Sequence, residues 1–278
     1  MLDFESLFGF TAATVVIFFM LILRYFLFGC ILHWFFYIQK SPGLEKRKLY
    51  TKKYTRKQFR NELKWSIISS FIFAFAGSLI CYLWQKGFTK IYFDTDKTSL
   101  WLMPVSLVVL LLLHETYYYW LHRWMHLPNV YRHIHKVHHD SHVTSPWTSF
   151  SFHPLEAFLQ ALFLPAVLLF VPTDIYVLAF FLLIMTVSGF INHLGYEIYP
   201  DGFEKNFFGK WLIGATHHAR HHKQYQYNFG LYFRLWDIWK KTEAPATLGI
   251  DRNNKAISII KSKDDRAGLY IVKPRAIK

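Results

Sequence analysis

Three clusters of histidines have the spacing of metal ligands. The first places two imidazoles four residues apart, and the other two repeat the pattern HxxHH. They are His122-x-x-x-His126, His135-x-x-His138-His139 and His218-x-x-His221-His222. Because residues three or four positions apart lie on one face of an α-helix, each cluster is expected to point its imidazoles in one direction. The pattern predicts a metal site.

The eight imidazoles of these clusters are too many for one metal ion. A structural zinc ion has four ligands, and a catalytic zinc ion typically has three plus water. Adjacent imidazoles in an HxxHH fan diverge, so the clusters favour a centre of two metal ions. Imidazole binds Zn, Cu, Fe and Ni, so the ligand type alone does not identify the metal. A basic patch or a pH sensor would not require the repeated spacing.

Several other residues are expected to support this site. His193, in the segment NHLGY, follows an apolar stretch and is expected to be a ninth ligand. Glu115 precedes His122 by about two helical turns, so its carboxylate is expected to orient a ligating imidazole. The remaining residues expected to lie beside the ligands without binding the metal are His114, His142, His153 and His217.

The elements that must position these histidines are apolar helices. The 278-residue chain is 53% hydrophobic and 20% aromatic, and its charged residues leave long gaps. A membrane-spanning helix needs about 20 mainly apolar residues. Segments that meet this need lie at about 10–35, 65–85, 98–120, 156–172 and 175–192. We therefore predict an all-α polytopic membrane protein with about four to five membrane helices.

The basic residues predict how these helices are oriented. Segment 40–64 holds ten Lys or Arg against two Glu, and the positive-inside rule places it on the cytoplasmic face. With a hairpin turn at 171–174, helix parity then places 127–154 and everything after about 193 on the same face. Fourteen of the 15 histidines would meet there, in a helical cap that carries the site. The basic tail 240–278, with ten Lys or Arg against four acids, agrees with this topology.

The net charge of +14 does not indicate nucleic-acid binding, because the charge flanks membrane segments and no nucleic-acid motif accompanies it. It indicates instead a topology signal that also attracts anionic lipids. We expect three regions along the chain. They are membrane helices with a basic loop in 1–97, a catalytic region in 98–242 and a basic cytoplasmic tail in 243–278.

Five segments of the chain resemble the fatty acid hydroxylase/sterol desaturase superfamily. They are ETYYYWLHRWMH (115–126), HKVHHDSH (135–142), FHPLE (152–156), NHLGY (192–196) and HHARHHKQYQYNFGLYFRLWD (217–237). They are most similar to the sterol C5-desaturase (lathosterol oxidase) branch, in which the third box also reads HHxxHH and is followed by N-[FY]-G and LWD. Glu115 departs from the pattern, because members commonly have Asp at that position.

The resemblance implies a membrane-embedded non-haem di-iron oxygenase with O2 as co-substrate. Two iron ions would be held by the eight box histidines and His193. Iron also fits the chemistry, because attack on an unactivated C–H bond requires redox chemistry that zinc does not supply. The sequence contains no G-x-G-x-x-G and no fused cytochrome b5-like domain. Electrons are therefore expected from a separate cytochrome b5-like protein, ferredoxin or reductase that is attracted to the basic cytoplasmic surface.

The predicted activity is hydroxylation or desaturation of a sterol-type or fatty-acyl-type lipid in lipid biosynthesis, by an oxidoreductase that acts on paired donors. The lipid would enter from the bilayer, and the aromatic residues 117–120 and Trp124 would wall the site. A membrane zinc hydrolase and a metal transporter are the alternatives, although transporters place ionisable groups near the bilayer midplane. The sequence has no C-terminal KDEL, which favours a bacterial inner membrane over the endoplasmic reticulum.

Overall fold

The structure of the protein is a computed structural model that describes residues 3–39, 42–93 and 102–245. Within these ranges the chain is mainly α-helical. The helices are α1 (Leu7–His33), α2 (Pro42–Glu45), α3 (Arg56–Gln85), α4 (Leu102–Met125), α5 (Pro128–Ile134), α6 (Lys136–His139), α7 (Pro154–Ala161), α8 (Phe163–Leu168), α9 (Ile175–His193), α10 (Ala215–Lys223) and α11 (Leu235–Lys240). The strands β1 (Ile91–Tyr92) and β2 (Thr173–Asp174) pair in parallel.

Four of these helices are long and apolar enough to cross a membrane. They are α1 with its π-helical extension to Ile38, α3, α4 and α9. This confirms the predicted all-α polytopic membrane protein, at the lower end of the expected helix count. Side chains cap the helix starts: the Ser6 hydroxyl accepts the backbone N–H of Gly9, and the Asp174 carboxylate accepts that of Tyr176.

The fourth of the five predicted spans, 156–172, is instead two short helices. α7 and α8 meet at Leu162, and together they cover 15 residues, from Pro154 to Leu168. At about 1.5 Å per residue this pair is shorter than the hydrocarbon core of a bilayer, which is about 30 Å thick. Pro165 accounts for this division, because it has no N–H to donate to the carbonyl of residue 161.

The helix ends gather at two opposite ends of the bundle. At one end the backbone N–H of Phe4 donates to Gln85, and β1 pairs with β2 in the turn between α8 and α9. The predicted hairpin turn at 171–174 is therefore confirmed. At the other end, the backbone N–H of Leu49 donates to Gly195 just after α9. The start of the predicted third span (98–101) and the tail beyond residue 245 lie outside the described residues.

An aromatic cluster fixes the loop between α6 and α7 against the membrane helices. The Tyr25 hydroxyl of α1 donates to the carbonyl of Trp147, at 2.8 Å. Trp147 lies so close to α1 that a Cβ on Gly29 would come within 2.7 Å of its ring. Phe190 of α9 completes this buried cluster. The scaffold around the second histidine box is thus tied to two spans.

Candidate metal centre

The first two histidine boxes meet where α4 leaves the bundle. His122 lies in the last turn of α4, and the backbone N–H of His126 still donates to its carbonyl. Pro128 then starts α5, because proline fits the first position of a helix. The helix expected throughout the second box is only partly present: His135 precedes the four-residue α6, which carries His138 and His139. The third box lies within α10, as the spacing predicts.

All nine predicted ligands lie together in two groups. Each residue offers one nitrogen, and within a group these nitrogens lie within 4.8 Å of one another. The five-histidine group consists of His122, His126, His135, His139 and His221, and the four-histidine group of His138, His193, His218 and His222. The adjacent pairs 138–139 and 221–222 are each divided between the groups, as the diverging fan predicts.

The Nε2 atoms in both groups face one another at short distances. In the five-histidine group, Nε2 of His122 lies 3.1 Å from that of His135, and Nε2 of His221 lies 3.1 Å from that of His139. In the four-histidine group, Nε2 of His193 lies 3.1 Å from that of His138 and 2.9 Å from that of His218.

Acceptors behind the rings determine which nitrogen carries the proton. Nδ1 of His122 donates to the Phe229 carbonyl at 2.8 Å, and Nδ1 of His221 donates to the Tyr227 carbonyl at 2.7 Å. Nδ1 of His193 lies 2.8 Å from the carbonyl of Gly189. Because a carbonyl only accepts, each of these rings holds its proton on Nδ1 and leaves a lone pair on Nε2.

A carboxylate performs the same task for His135. Its Nδ1 lies 2.8 Å from Oε1 of Glu156, and both side chains are fully buried. Burial raises the pKa of Glu156 well above its usual range. Its ionised form, which a bound cation nearby would favour, accepts from Nδ1 of His135 and leaves a lone pair on Nε2 that faces the lone pair of His122. Burial lowers the pKa of the His135 imidazole to about 3, so the ring is neutral near pH 7.

These nitrogens fit a bound cation. Two neutral imidazoles with lone pairs about 3 Å apart repel each other unless a positive charge lies between them. Burial, followed by the charges of neighbouring histidines, lowers the pKa of the other imidazoles of both groups that lie outside the membrane helices. Metal ions require such deprotonated ligands. Among the described residues, neither ring nitrogen of the buried His222 has a hydrogen-bond partner. The two groups therefore have the donors that two metal ions require.

The prediction that Glu115 orients an imidazole is wrong. Its carboxylate accepts the backbone N–H groups of residues 231–233, with the shortest contact, 2.7 Å, to Tyr232. Two helical turns separate it from His122, and the loop after the third box fills that space. Glu156, in the segment FHPLE, holds this role instead and was missed. Its only signal in the sequence was an acid 17 positions after the second box, at the start of an apolar segment, and this becomes informative only once the fold places it behind His135.

The four histidines expected beside the ligands lie in different surroundings. Nδ1 of His114 lies 2.7 Å from the Tyr232 hydroxyl, His142 is exposed, and His153 accepts the N–H of Leu155 at the start of α7. His217 is buried beside Arg220 and Arg234, and neither of its ring nitrogens has a partner among the described residues. Hydrogen bonds from these four side chains to the nine grouped histidines do not occur in the described part of the chain.

The predicted aromatic wall is only partly present. The Tyr118 ring lies 5.1 Å from that of His122, whereas Tyr117 packs against Phe163 of α8. Trp120 and Trp124 are exposed on the outside of α4. A helix turns successive side chains by about 100°, so five neighbouring aromatic residues do not all face one site.

Comparisons with known proteins relate the chain to one protein family. The profile of the fatty acid hydroxylase family matches residues 107–242. Lathosterol oxidase of Rattus norvegicus is 33% identical over 158 residues, which are 55% of this chain and 50% of that protein. Lathosterol oxidase of Homo sapiens is 28% identical over 190 residues, covering 66% of this chain and 60% of that protein.

A fungal relative aligns over more of the chain. The Delta(7)-sterol 5(6)-desaturase of Aspergillus fumigatus is 26% identical over 250 residues, covering 83% of this chain and 78% of that protein. No solved structure matches the chain. The chain thus spans about half of the length of the rat lathosterol oxidase. Residues 107–242 form a domain of the fatty acid hydroxylase family, which confirms the superfamily and the sterol desaturase branch that the histidine motifs predicted.

Proposed function

We propose that this protein is a membrane-bound non-haem di-iron oxygenase that uses O2 and external electrons to hydroxylate or desaturate a lipid. The observation that carries the proposal is the pair of buried histidine groups whose Nε2 atoms face one another at about 3 Å. The five-histidine and four-histidine groups would each hold one iron ion. When bound, iron supplies redox chemistry with O2, which attack on an unactivated C–H bond requires.

The chain's own residues would prepare the site for this chemistry. Hydrogen bonds behind His122, His135 and His221 direct their Nε2 atoms inward before any metal arrives. Burial keeps the imidazoles neutral and excludes water from around them. Tyr118, the one predicted aromatic residue in ring contact with a ligand, is positioned to limit access along α4.

A sterol-type lipid is the substrate that the relatives support, and a fatty-acyl lipid is the alternative. The names of the aligned proteins describe oxidation of lathosterol or desaturation of a Delta(7)-sterol. The histidine groups lie at the ends of α4 and α9, next to the apolar spans, so a lipid would reach them laterally from the bilayer. The division of the chain into 1–97, 98–242 and 243–278 stays a prediction.

The electron donor would dock on the basic segment after α1. Lys52, Lys53, Arg56, Lys57 and Arg60 are exposed there. The segment lies at the histidine end of the bundle, because Gln58 donates to the carbonyl of Val143 in the loop after the second box. Such a surface attracts an acidic protein, such as a cytochrome b5-like donor, a ferredoxin or a reductase.

The same basic segment supports a cytoplasmic location for the histidine groups. The bacterial inner membrane that the sequence favours gains no support from the relatives, which come from animals and fungi. We therefore propose the endoplasmic reticulum, the alternative that the sequence left open.

Lipid mass spectrometry tests the proposed function. Cells that lack sterol C5-desaturation would express the wild-type protein or His138→Ala. We expect the wild type to form a lipid that has lost two hydrogens or gained one oxygen atom, only when O2 is present, and the purified protein to contain iron. His138→Ala should form neither product. Zinc in protein made with ample iron, together with turnover in the absence of O2, would instead identify the alternative zinc hydrolase.

A further inference from the structure

One short loop lies behind two ligands of the five-histidine group. The loop, residues 227–230, follows α10 and reads YNFG. The carbonyl of Tyr227 accepts from His221, and the carbonyl of Phe229 accepts from His122. Those two histidines belong to different boxes, 99 positions apart by their numbers in the sequence. The loop therefore joins the first and third boxes through backbone atoms alone.

A buried carboxylate fixes this loop. Asp237, in α11, is fully buried. Its Oδ1 accepts the N–H of Phe229 and its Oδ2 that of Gly230, both at 2.9 Å. The hydroxyl of Thr242 donates to Oδ1 at 2.8 Å. All three partners are donors, so the side chain acts purely as an acceptor, which a carboxylate does and an amide does not.

The backbone of the loop is also unusual. Asn228 has a φ of 62°, in the left-handed region, where asparagine is among the few non-glycine residues that occur readily. Its Nδ2 donates to the carbonyl of His217, and its Oδ1 accepts the N–H of Ala244. At Gly230, an added Cβ would lie 2.5 Å from the carbonyl oxygen of Phe233. Side chains outside the histidine boxes therefore hold the loop in this conformation.

We propose that Asp237 is a positioning residue for the five-histidine group. It holds the 227–230 loop so that the carbonyls of Tyr227 and Phe229 keep the protons of His221 and His122 on Nδ1 and their Nε2 atoms towards the metal. Asp237 touches neither histidine and acts through two backbone carbonyls. The inference rests on the proposed function only in requiring that the group binds a metal ion.

The metal content of purified protein tests the proposal. Ferrous iron would be added without O2 to the wild type and to Asp237→Asn. A chelator would then be added, and the iron that stays bound to the protein would be measured over time. Because the amide points a donor at a backbone N–H, we expect Asp237→Asn to weaken iron binding at one of two sites by about 10-fold or more. The second site should release its iron at the wild-type rate.

Glu62→Gln is the matched control. Glu62 is buried like Asp237, and none of its hydrogen-bond partners is a grouped histidine; they are Tyr54, Gln58, Ser141 and Thr148. Thermal unfolding of the iron-free proteins would measure any general loss of stability. Equal loss of iron in both variants would overturn the proposal, as would an Asp237→Asn protein with wild-type iron release.

Gly230→Ala displaces the loop without changing Asp237, and it serves if Asp237→Asn does not fold. It should also weaken one iron site selectively, and wild-type iron release in this variant would contradict the role of the loop. A wild-type protein that binds no iron would refute the proposed function itself. If the wild type bound two iron ions and both loop variants released iron at the wild-type rate, only the positioning role would be refuted.

Discussion

The two histidine groups differ in what holds their rings. In the five-histidine group, His122, His135 and His221 each have an acceptor behind Nδ1 at 2.7–2.8 Å. In the four-histidine group, His193 has such an acceptor at 2.8 Å, and His138 has one at 3.3 Å. Among the described residues, Nδ1 has no partner in His218 and His222 of the four-histidine group, nor in His139 of the five-histidine group.

Three of the five rings in one group are held by acceptors at 2.7–2.8 Å before any metal binds, whereas one of the four rings in the other group has an acceptor that close. Ligands fixed in advance lose less conformational freedom on binding, and outer hydrogen bonds raise metal affinity. We therefore expect the five-histidine group to bind its metal more tightly. The four-histidine group has fewer protein nitrogens and so leaves more coordination positions for other ligands.

Adjacent substitutions on α10 give the largest expected effect. His221→Ala removes a ligand of the five-histidine group, and His222→Ala removes one of the four-histidine group. Both variants should lose lipid product below detection, and each should retain about one metal ion instead of two. Metal analysis beside lipid mass spectrometry checks this expectation. If either variant kept both ions and full turnover, the division into two groups would be wrong.

Removal of metal by a chelator would test the predicted order of affinity. We expect two phases of release from the wild type, with rates that differ by about 10-fold or more. The slow phase should disappear in His221→Ala, and the fast phase should disappear in His222→Ala. A single phase in the wild type, or the reverse assignment of the two phases, would contradict the predicted order of metal affinity.

Glu156 should affect the five-histidine group alone. Glu156→Ala removes the acceptor behind His135 and should weaken metal binding there by about 10-fold to 100-fold. Glu156→Gln retains an oxygen that accepts from Nδ1, so its loss should be smaller. Titration of the metal-free variants with ferrous iron gives both affinities. An equal loss at both groups would show that Glu156 acts through general stability rather than through His135.

Lowering the pH should destabilise the metal-free protein through both histidine groups. Burial lowers the pKa of His221 and His222 well below the ordinary value and that of His135 to about 3. The unfolded chain then binds more protons than the folded chain below about pH 6.5. Stability of the metal-free protein should fall as the pH drops below that value, by about 1.4 kcal/mol per pH unit for each such histidine. His221→Ala and His222→Ala should reduce this dependence equally in thermal unfolding, and a difference between them would contradict equal burial.

Tyr25→Phe should have the smallest effect on the metals. It removes the hydrogen bond to the carbonyl of Trp147 and should lower the free energy of unfolding by about 1 kcal/mol. The ratio of the two chelation rates should stay at its wild-type value. A changed ratio would mean that the loop after the second box, rather than the hydrogen bonds behind the rings, distinguishes the groups.

The grouping of the eight box histidines could be predicted from the sequence because their spacing follows the geometry of a helix. His193, alone in its segment, could be added because hydropathy placed it at the returning end of a span. The division into five and four could not be assigned, because it depends on how α6 and α10 face each other. Helix spacing pointed to Glu115 as the acid that orients an imidazole. Only the tertiary fold brings Glu156 behind His135. The carbonyls of residues 227 and 229 carry no side-chain signal at all.

The membrane helices were predictable where apolar length decides the structure. Thr55 caps α3, which begins nine residues before the predicted span because the helix includes a polar stretch that hydropathy excludes. The fourth predicted span is divided into two helices because of Pro165, a residue whose missing N–H could have been noticed in the sequence.

The divided pairs 138–139 and 221–222 have a mechanical consequence. Each of two short helices contributes one ring to each group, so the distance between the groups is built into covalent backbone geometry. Exchange of the metals for ions of another radius would change bond lengths inside a group while leaving the spacing of the pair almost constant. The peptide chain thus fixes the distance between the two histidine groups. Rotation of α10 about its axis is the motion that would change this distance.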